Sequence, residues 1–303
     1  MDVLEKAAKI LQQPVCDHCL GRQFAQLLSG YTNPERGSAL RIAVAMSIDK
    51  SKEEEKEGDA KVSDVGEANK NTEKTTRPSV HNLDMSNFHE LNFHNLGAGK
   101  RIKRKKCSVC EDFFLNLEKY LDKISKASKK CDFRTFLVGT KLPFEMISAE
   151  EGLWERVGID YCEPVKAEIN REVGKLVEKR LKVHFDRKRP DVNIILNINM
   201  GKVSIEINPL FIYGEYQKLK RGIPQTKWPS GKYKTSVEQL IAKPYMAATR
   251  GTGHKLHGLG REDIDARCLA WRPFVLEILK PMTFPISGWQ PCRTAQGTEP
   301  SRI

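Results

Sequence analysis

Residues 192–207 read VNIILNINMGKVSIEI, and this stretch decides the central part of the fold. Apolar side chains occupy every second position on each side of Met200 and Gly201: Val192, Ile194, Leu196, Ile198, Val203, Ile205 and Ile207. A period of two is typical of β-strands, because successive side chains point to opposite faces of a sheet. The stretch therefore predicts two strands joined by a turn at Met200 and Gly201.

Segments upstream extend this pattern into a small α/β domain. Residues 135–138 (TFLV) predict a strand, and the spacing of apolar residues over 165–181 predicts a helix. The resulting order is strand, helix, strand, strand. Helical spacing also occurs over residues 2–11 and 20–28, so the chain as a whole is expected to be of the α+β class.

Two further elements are expected downstream. Residues 272–278 (RPFVLEI) predict a strand. A helix is expected to begin at Thr235, because Thr235 and Glu238 have the spacing of a capping box. Pro244 is expected to break or restart that helix, since proline lacks the N–H group that the helix needs.

Four of the eight cysteines form two C-x-x-C pairs, Cys16 with Cys19 and Cys107 with Cys110. Each pair precedes an amphipathic segment and could present two thiolates to one tetrahedral zinc ion. The 87 residues between the pairs do not forbid a shared site, because the entropy cost of loop closure grows only logarithmically with length. The pattern predicts a structural zinc site. A dithiol redox pair and incidental core cysteines are the alternatives.

The other histidine and cysteine residues considered as metal ligands are not expected to bind the zinc ion. His18 lies inside the first pair and is expected to be a bystander. The remaining cysteines are expected to be ordinary thiols: Cys131, Cys162, Cys268 and Cys292.

Composition narrows the class of protein. The chain has 303 residues, with 51 Lys and Arg against 39 Asp and Glu, and a formal net charge of +12. Mean hydropathy is −0.51, and no apolar run approaches the roughly 20 residues that cross a bilayer. The N-terminal residues mix charges with apolar side chains, unlike a secretory signal. Membrane and secreted classes are thereby excluded, and a reducing, cytoplasmic location is expected.

Residues 50–99 differ in composition from the rest of the chain. They hold 7 basic and 10 acidic residues, many Asn, Ser and Thr, and few apolar side chains. Such a segment cannot bury enough apolar surface to offset the entropy of ordering, which predicts a flexible charged insert. The excess of positive charge therefore belongs to the residues outside 50–99.

A basic stretch spans residues 213–261, with ten basic residues against two acidic ones. Five aromatic residues are interleaved: Tyr213, Tyr216, Trp228, Tyr233 and Tyr245. Cations neutralise phosphates and rings stack on unpaired bases, so the stretch predicts nucleic-acid binding. A solvated basic surface with ordinary core aromatics is the alternative. The residues expected to contact nucleic acid are Lys218, Lys220, Arg221, Lys227, Lys232, Lys234 and Arg261.

Residues 260–267 read GREDIDAR and combine three carboxylates with two guanidinium groups. A carboxylate beside arginine stays ionised at neutral pH and can act as a nucleophile. A surface ladder of ion pairs is one alternative, and a divalent-metal site at Asp263 and Asp265 is a weaker one, because no third ligand is evident. The glycines of residues 251–260 match neither the dinucleotide fingerprint nor the P-loop, so no nucleotide cofactor is expected.

Several segments resemble the archaeal-type tRNA pseudouridine synthases that carry an N-terminal zinc and THUMP-like region. They are CDHCLGRQFA (16–25), the pair Cys107 and Cys110, FLVGTKLP (136–143), FIYGEYQKLKRGIPQTKWP (211–229), KYKTSVEQLIAKP (232–244) and HGLGREDIDARCLAWRPFVLEI (257–278). Pseudouridine synthases share an Arg-x-Asp-like element whose Asp is the nucleophile. Arg261-Glu-Asp263 is the match here, which favours Asp263 over Asp265.

The resemblance implies an α+β architecture in three parts, with an insert and a tail. These are a zinc-stapled helical N-terminal domain (1–48 plus 100–130), a THUMP-like RNA-binding α/β domain (131–222), the start of a mixed-sheet pseudouridine synthase catalytic domain (223–280), the flexible insert (50–99) and an irregular tail (281–303).

The resemblance also implies a function. The expected enzyme isomerises uridine 54, uridine 55 or both in the T-loop of tRNA, with Asp263 as nucleophile, structural zinc and no cofactor for catalysis. The family's catalytic domain continues beyond RPFVLEI, so the chain is expected to be C-terminally truncated and its own activity stays open. The alternative is a non-catalytic tRNA-binding module that retains the zinc and THUMP-like domains.

Overall fold

The computed structural model of the chain describes residues 1–59, 83, 92–93, 97–98 and 105–284. Most of the insert expected at 50–99, most of the tail expected at 281–303, and Cys292 lie outside these residues. The described residues combine helices and β-sheets, as the α+β prediction requires. No helix among them is both long and apolar enough to cross a membrane.

The chain divides into two compact units. One unit comprises Met1–Tyr120, Thr140–Val173 and Asn197–Met200, and the other comprises Leu121–Gly139, Gly174–Leu196 and Gly201–Ile303. The first unit thus includes residues 140–173, which the sequence places in the second domain. These residues join the N-terminal unit through buried contacts with its helices, such as the hydrogen bond from Trp154 Nε1 to Gln23 Oε1 at 3.0 Å.

The first unit is helical. Its elements are α1 (Val3–Ile10), α2 (Asp17–Gly21), α3 (Asn33–Asp59), short 3-10 turns at Arg22–Phe24 and Phe113–Asn116, and α5 (Phe144–Val157). Helix α1 begins where the Asp2 carboxylate accepts a hydrogen bond from the Leu4 N–H at 3.0 Å, and it buries Ala7 and Ile10. Helix α3 continues to Asp59, so the first residues of the segment expected to be flexible are helical.

Two short strands lie within residues 50–99, the segment expected to be flexible. β1 (Asn92–Phe93) pairs with β2 (Gly97–Ala98) in antiparallel fashion.

A four-stranded sheet forms around the stretch 192–207. Its strands are β3 (Thr135–Lys141), β4 (His184–Phe185), β5 (Val192–Asn197) and β6 (Lys202–Ile207), in the order β4-β3-β5-β6. Val192, Ile194 and Leu196 are fully buried, as their period of two predicts. Gly201 has a φ of 59°, which is the left-handed conformation that favours glycine in the turn.

Helix α4 (Leu117–Ser128) precedes β3 in the sequence, and helix α6 (Val165–Leu181) lies between β3 and β4. The bounds of α6 are those that the apolar spacing predicts.

A three-stranded antiparallel sheet follows in the second unit. Its strands are β7 (Leu210–Lys218), β8 (Gly253–Gly258) and β9 (Cys268–Leu279), with β9 between the other two. Helix α7 (Val237–Thr249) packs on one face of the sheet. The shared core consists of Ile212, Tyr216, Val237, Ile241, Ala242, Tyr245, Phe274, Leu276 and Ile278.

Helix α7 differs from the prediction in where it begins and in the effect of Pro244. Ser236 caps it, and the Ser236 hydroxyl accepts a hydrogen bond from the Gln239 N–H at 3.2 Å, so the capping pair lies one residue beyond Thr235 and Glu238. Pro244 lies inside the helix, which runs on to Thr249. The prediction of a break is wrong because Pro244 is exposed, and water can replace the missing hydrogen bond there.

Candidate functional site

The first cysteine pair is held by a close contact between α2 and α3. A Cβ atom on Gly21 would lie 1.8 Å from the carbonyl oxygen of Asn33, and one on Gly37 would lie 2.0 Å from that of Asp17. Only glycine permits this approach of two backbones. Cys16 is the N-cap of α2, and Cys19 lies within it, so this contact fixes where both thiols point.

Buried hydrogen bonds add to this contact. The Arg41 side chain of α3 is buried; its Nε donates to the Asp17 carboxylate at 2.8 Å, and its Nη2 donates to the Val15 carbonyl at 2.5 Å. The second cysteine pair is tied to the same region, because the Ser108 N–H donates to the Pro14 carbonyl at 2.7 Å. The two pairs are therefore brought together despite their separation in the sequence.

Cys16, Cys19, Cys107 and Cys110 form one cluster, with all four sulfur atoms within 4.8 Å of one another. The Sγ atoms of Cys16 and Cys110 are 3.6 Å apart. Four sulfurs around a tetrahedral zinc at about 2.3 Å are about 3.8 Å from one another, so the cluster has the size of a metal site. The donor set and the burial of three of the four residues fit a structural metal ion.

The electrostatics of the cysteine cluster also favour a bound metal ion. Hydrogen bonds from the thiols of Cys110, Cys16 and Cys19 hold the pKa of Cys107 well below its ordinary value, while burial raises the pKa of Cys19. Arg22 is fully buried, and its Nη1 donates to the Cys19 sulfur at 2.7 Å. A bound metal ion would hold all four cysteines as thiolates; the guanidinium of Arg22 would offset part of their charge and the metal ion the rest.

Around the cluster lies a network of buried charges. Arg22 Nη2 is 3.2 Å from the Glu150 carboxylate, and burial raises the pKa of Glu150. His18 Nδ1 lies 2.8 Å from the buried Glu168 carboxylate, and its ring stacks on Phe114 with centroids 4.1 Å apart. His18 is outside the set of four clustered residues, as the sequence interpretation expects.

The other described cysteines are free and separate from the cluster. Burial raises the pKa of the Cys131 thiol to about 11, and burial also raises the pKa of the Cys162 thiol. A raised pKa keeps a thiol protonated at neutral pH and makes it a poor nucleophile.

A second candidate site is the acidic loop, residues 259–267, which joins β8 to β9. Asp263 and Asp265 are exposed, whereas Glu262, the residue just before Asp263, is buried. The Tyr216 hydroxyl donates to Glu262 Oε1 at 2.8 Å, and Gln225 Nε2 donates to Glu262 Oε2 at 2.9 Å. Burial, and next the Glu262 carboxylate, raise the pKa of Tyr216.

Lys218 differs from the role expected of it. It is completely buried, and its ammonium donates to the carbonyl oxygens of Asp263 at 2.9 Å and Ile264 at 3.0 Å. Its charge therefore faces the backbone of the acidic loop and is not presented to a phosphate at the surface. The correction follows from the burial pattern of β7, in which Ile212, Tyr216 and Lys218 all point inward.

For residues 260–267 (GREDIDAR), a ladder of ion pairs and a divalent-metal site were the alternatives to a nucleophile. Among the residues that the structure describes, Arg261, Asp263, Asp265 and Arg267 form no ion pair with one another, so the segment does not build a ladder of ion pairs. Nor does any group of three ligand-type side chains other than the four cysteines come together within the described part of the chain. The carboxylate of Asp263 is therefore exposed on a backbone that buried groups hold.

The other basic residues expected to contact nucleic acid are exposed: Lys220, Arg221, Lys227, Lys232, Lys234 and Arg261. The aromatic residues of the same stretch divide into two sets. Tyr216 and Tyr245 belong to the core, whereas the Trp228 and Tyr233 rings pack edge to face with centroids 5.6 Å apart. Lys232 Nζ lies 5.7 Å from the centroid of Tyr233, so this pair combines a ring with a cation.

Sequence reasoning overlooked a second basic group, on the two connections that flank β4. Lys182 lies between α6 and β4, whereas Arg187, Lys188 and Arg189 lie in the turn that follows β4, and all four are exposed. Asp186, the acidic residue of this turn, accepts hydrogen bonds from the N–H groups of Lys188 at 2.7 Å and Arg189 at 3.0 Å, which lower its pKa. The carboxylate thus shapes the turn that presents the cations. The run of basic letters in FDRKRP could have revealed the group.

Two family models match the chain. One, described as the archaeal Pus10 THUMP domain, matches residues 120–197, and the other, described as the Pus10 C-terminal region, matches residues 211–296. The first covers β3, β4 and β5 of the four-stranded sheet but ends before β6, and the second covers the three-stranded sheet from residue 211 onward together with the acidic loop.

Curated relatives give the same result over most of the chain. A protein of Methanocaldococcus jannaschii is 37% identical over 286 residues, 88% of this chain and 59% of the relative. One of Methanopyrus kandleri is 34% identical over 286 residues, with the same shares. One of Pyrococcus furiosus is 33% identical over 282 residues, 92% of this chain and 59% of the relative. Each is named tRNA pseudouridine synthase Pus10, and the chain spans about three fifths of their length.

Proposed function

We propose, from the premise that this chain belongs to the Pus10 family of tRNA pseudouridine synthases, that it binds tRNA and isomerises uridine to pseudouridine. The observation that carries the proposal is the exposed carboxylate of Asp263 on a loop whose neighbouring residues are held by buried side chains. A nucleophile needs both access to its substrate and a fixed position. We assign that role to Asp263.

The reaction that we propose conserves every atom of the substrate. The Asp263 carboxylate attacks C1′ of a uridine extruded from its stack, so that a bond from the carboxylate oxygen to C1′ forms as the glycosidic bond from C1′ to N1 of the uracil breaks. The uracil rotates, and its carbon 5 bonds to C1′ as the bond to the carboxylate breaks; carbon 5 loses its proton and N1 gains one. Extrusion of the base is required because an enzyme cannot reach these atoms in a stacked nucleotide. We propose that the substrate is uridine 54, uridine 55 or both in the T-loop.

The exposed basic residues are proposed to hold the phosphates of the tRNA. They form two groups, one on either side of β4 (Lys182, Arg187, Lys188 and Arg189) and one in the basic stretch 213–261 (Lys220, Arg221, Lys227, Lys232, Lys234 and Arg261). The edge-to-face rings of Trp228 and Tyr233 offer a surface on which an unpaired base can stack.

The metal that fits the cysteine cluster best is zinc. Four sulfur donors in a tetrahedral arrangement leave no open position, which is typical of a structural site. We propose that Cys16, Cys19, Cys107 and Cys110 hold one zinc ion, which supplies folding free energy and takes no part in the isomerisation. A cytoplasmic location fits thiolates that must stay reduced.

A non-catalytic tRNA-binding module is the second candidate function. It is favoured by one observation, that the exposed basic residues and the Trp228 and Tyr233 rings could bind RNA without any catalytic group. One experiment separates the two candidates. The purified chain is incubated with an unmodified tRNA transcript, and pseudouridine is mapped by chemical labelling while tRNA affinity is measured in parallel. Pseudouridine in the T-loop supports the enzyme, and binding without any pseudouridine supports the module.

Binding through phosphates predicts a steep dependence on salt. The logarithm of the tRNA affinity should fall linearly with the logarithm of salt concentration. Replacing both Lys227 and Lys232 with Gln should weaken binding and reduce the slope by about 1.4 to 1.8, because each phosphate contact contributes about 0.7 to 0.9. The measurement is a fluorescence titration at several salt concentrations.

The matched control for that titration is Lys202→Gln, which removes an exposed lysine on β6 outside both basic groups. It should leave the slope unchanged. An affinity that is flat between low and moderate salt, or a slope that the double variant does not alter, would contradict the proposed contacts.

A further inference from the structure

We infer that Lys218 and Glu262 are two buried anchors whose task is to fix the backbone on either side of Asp263, so that both act as positioning residues for the reaction. The inference rests on the proposed function, because it assigns a purpose to burying two charged groups beneath the proposed nucleophile. Neither side chain is able to contact the substrate from its buried position.

Two backbone carbonyl groups hold the buried ammonium group of Lys218. A buried ammonium group is unfavourable unless its hydrogen bonds are satisfied. Lys218 has no exposed surface, and the two acceptors of its ammonium are the carbonyl oxygens of Asp263 and Ile264, at 2.9 and 3.0 Å. Both acceptors belong to the acidic loop. The charge is therefore used to hold the peptide units that immediately follow the Asp263 Cα atom.

Glu262 performs the same task on the other side of Asp263. Its two carboxylate oxygens accept hydrogen bonds from the Tyr216 hydroxyl at 2.8 Å and from Gln225 Nε2 at 2.9 Å. Arg272 Nη2 lies 3.7 Å from the same carboxylate. Consecutive residues thus point in opposite directions, Glu262 into the protein and Asp263 into solvent.

The rest of the loop backbone is bonded as well. Gln225 Nε2 donates to the Gly260 carbonyl at 3.0 Å, and Arg272 Nη2 donates to the Leu259 carbonyl at 2.9 Å. The Gly222 N–H donates to the Ile264 carbonyl at 2.9 Å. The acidic loop is therefore fixed from β7, from the segment after β7 and from β9, while the Asp263 side chain is left free to react.

The experiment compares Lys218→Met, Lys218→Arg and the control Lys202→Met in the full chain. Lys218→Met keeps the length of the side chain and removes its donors, and Lys202→Met makes the same change on an exposed strand. We expect Lys218→Met to lower the rate constant for pseudouridine formation about 100-fold, since a displacement of about 1 Å can have that effect. The KM for tRNA should stay within about twofold.

Two readouts distinguish positioning from a general loss of structure. Lys218→Arg keeps a cationic donor and should recover at least about a tenth of the wild-type rate, since an arginine can still reach carbonyl acceptors. Amide hydrogen exchange of residues 260–266 should accelerate in Lys218→Met, while exchange in α7 and β7 stays as in the wild type. If Lys218→Met does not fold, Tyr216→Phe, which removes only one donor to Glu262, should lower the rate about tenfold.

The outcomes separate this inference from the proposed function. A wild-type chain that binds tRNA without forming pseudouridine overturns the proposed function and the inference with it. An active wild type whose Lys218→Met variant keeps its rate within about threefold, or loses rate only through a higher KM, overturns the inference alone.

Discussion

Replacing Asp263 with Asn is expected to abolish pseudouridine formation on unmodified tRNA, with a loss of about 1000-fold or more in the rate constant. The change preserves the shape of the side chain and removes its nucleophilic charge, so the covalent step has no nucleophile. Affinity for tRNA should stay the same or rise slightly, because the exposed carboxylate repels phosphates. The measurement is single-turnover pseudouridine formation with a parallel binding titration.

Asp265→Asn is the matched control for this prediction. Asp265 is also exposed on the acidic loop, two residues away, and its replacement removes the same charge. It should lower the rate far less than Asp263→Asn does. An Asp263→Asn variant as active as its parent would show that the nucleophile lies elsewhere, and equal losses in both variants would point to a loss of charge and not of a nucleophile.

Removal of zinc from the four cysteines is expected to unfold the helical region around α1, α2 and α3. Structural zinc sites supply apparent binding free energies of about 10 kcal/mol or more at neutral pH, and this free energy is lost when a chelator takes the metal. Without the metal, burial raises the pKa of the Cys19 thiol, and the two cysteine pairs lose the ion that joins them. Circular dichroism during chelation and the melting temperature before and after it provide the measurement.

Elemental analysis gives the stoichiometry for the same experiment. About one zinc ion per chain is expected for the wild type, and Cys107→Ser should lose it. Cys268→Ser is the control, because Cys268 lies outside the cluster. A wild-type chain with less than about half an equivalent of zinc, whose melting a chelator does not change, would refute the zinc proposal.

Local patterns were sufficient for the elements that carry their own periodicity. The alternation of residues 192–207 predicted two strands and their turn, and the apolar spacing of residues 165–181 predicted α6 to its bounds. The two C-x-x-C pairs predicted the cluster, because ligand spacing is a local property even when the pairs are far apart. The resemblance to the tRNA pseudouridine synthase family is confirmed by the matching family models and relatives.

Features that depend on tertiary structure could not be predicted in the same way. Lys218 was counted among the phosphate contacts because its neighbours in the sequence are basic, and only the pairing of β7 with β9 shows that it points inward. The role of Glu262 depends on Tyr216 and Gln225, which are distant in the sequence. Helix α5 was overlooked, and its tie to the N-terminal unit depends on buried partners such as Gln23.

The separation of the two cysteine pairs in the sequence has a consequence for biosynthesis. A ribosome adds about 5 to 20 residues per second, so Cys107 and Cys110 emerge roughly 5 to 18 seconds after Cys16 and Cys19. During that interval the nascent chain presents only two of its four sulfur ligands, and a tetrahedral zinc site cannot close. Loading of the proposed zinc ion must therefore follow synthesis of the second pair, and until then the thiols of the first pair lack the metal that would protect them from oxidation.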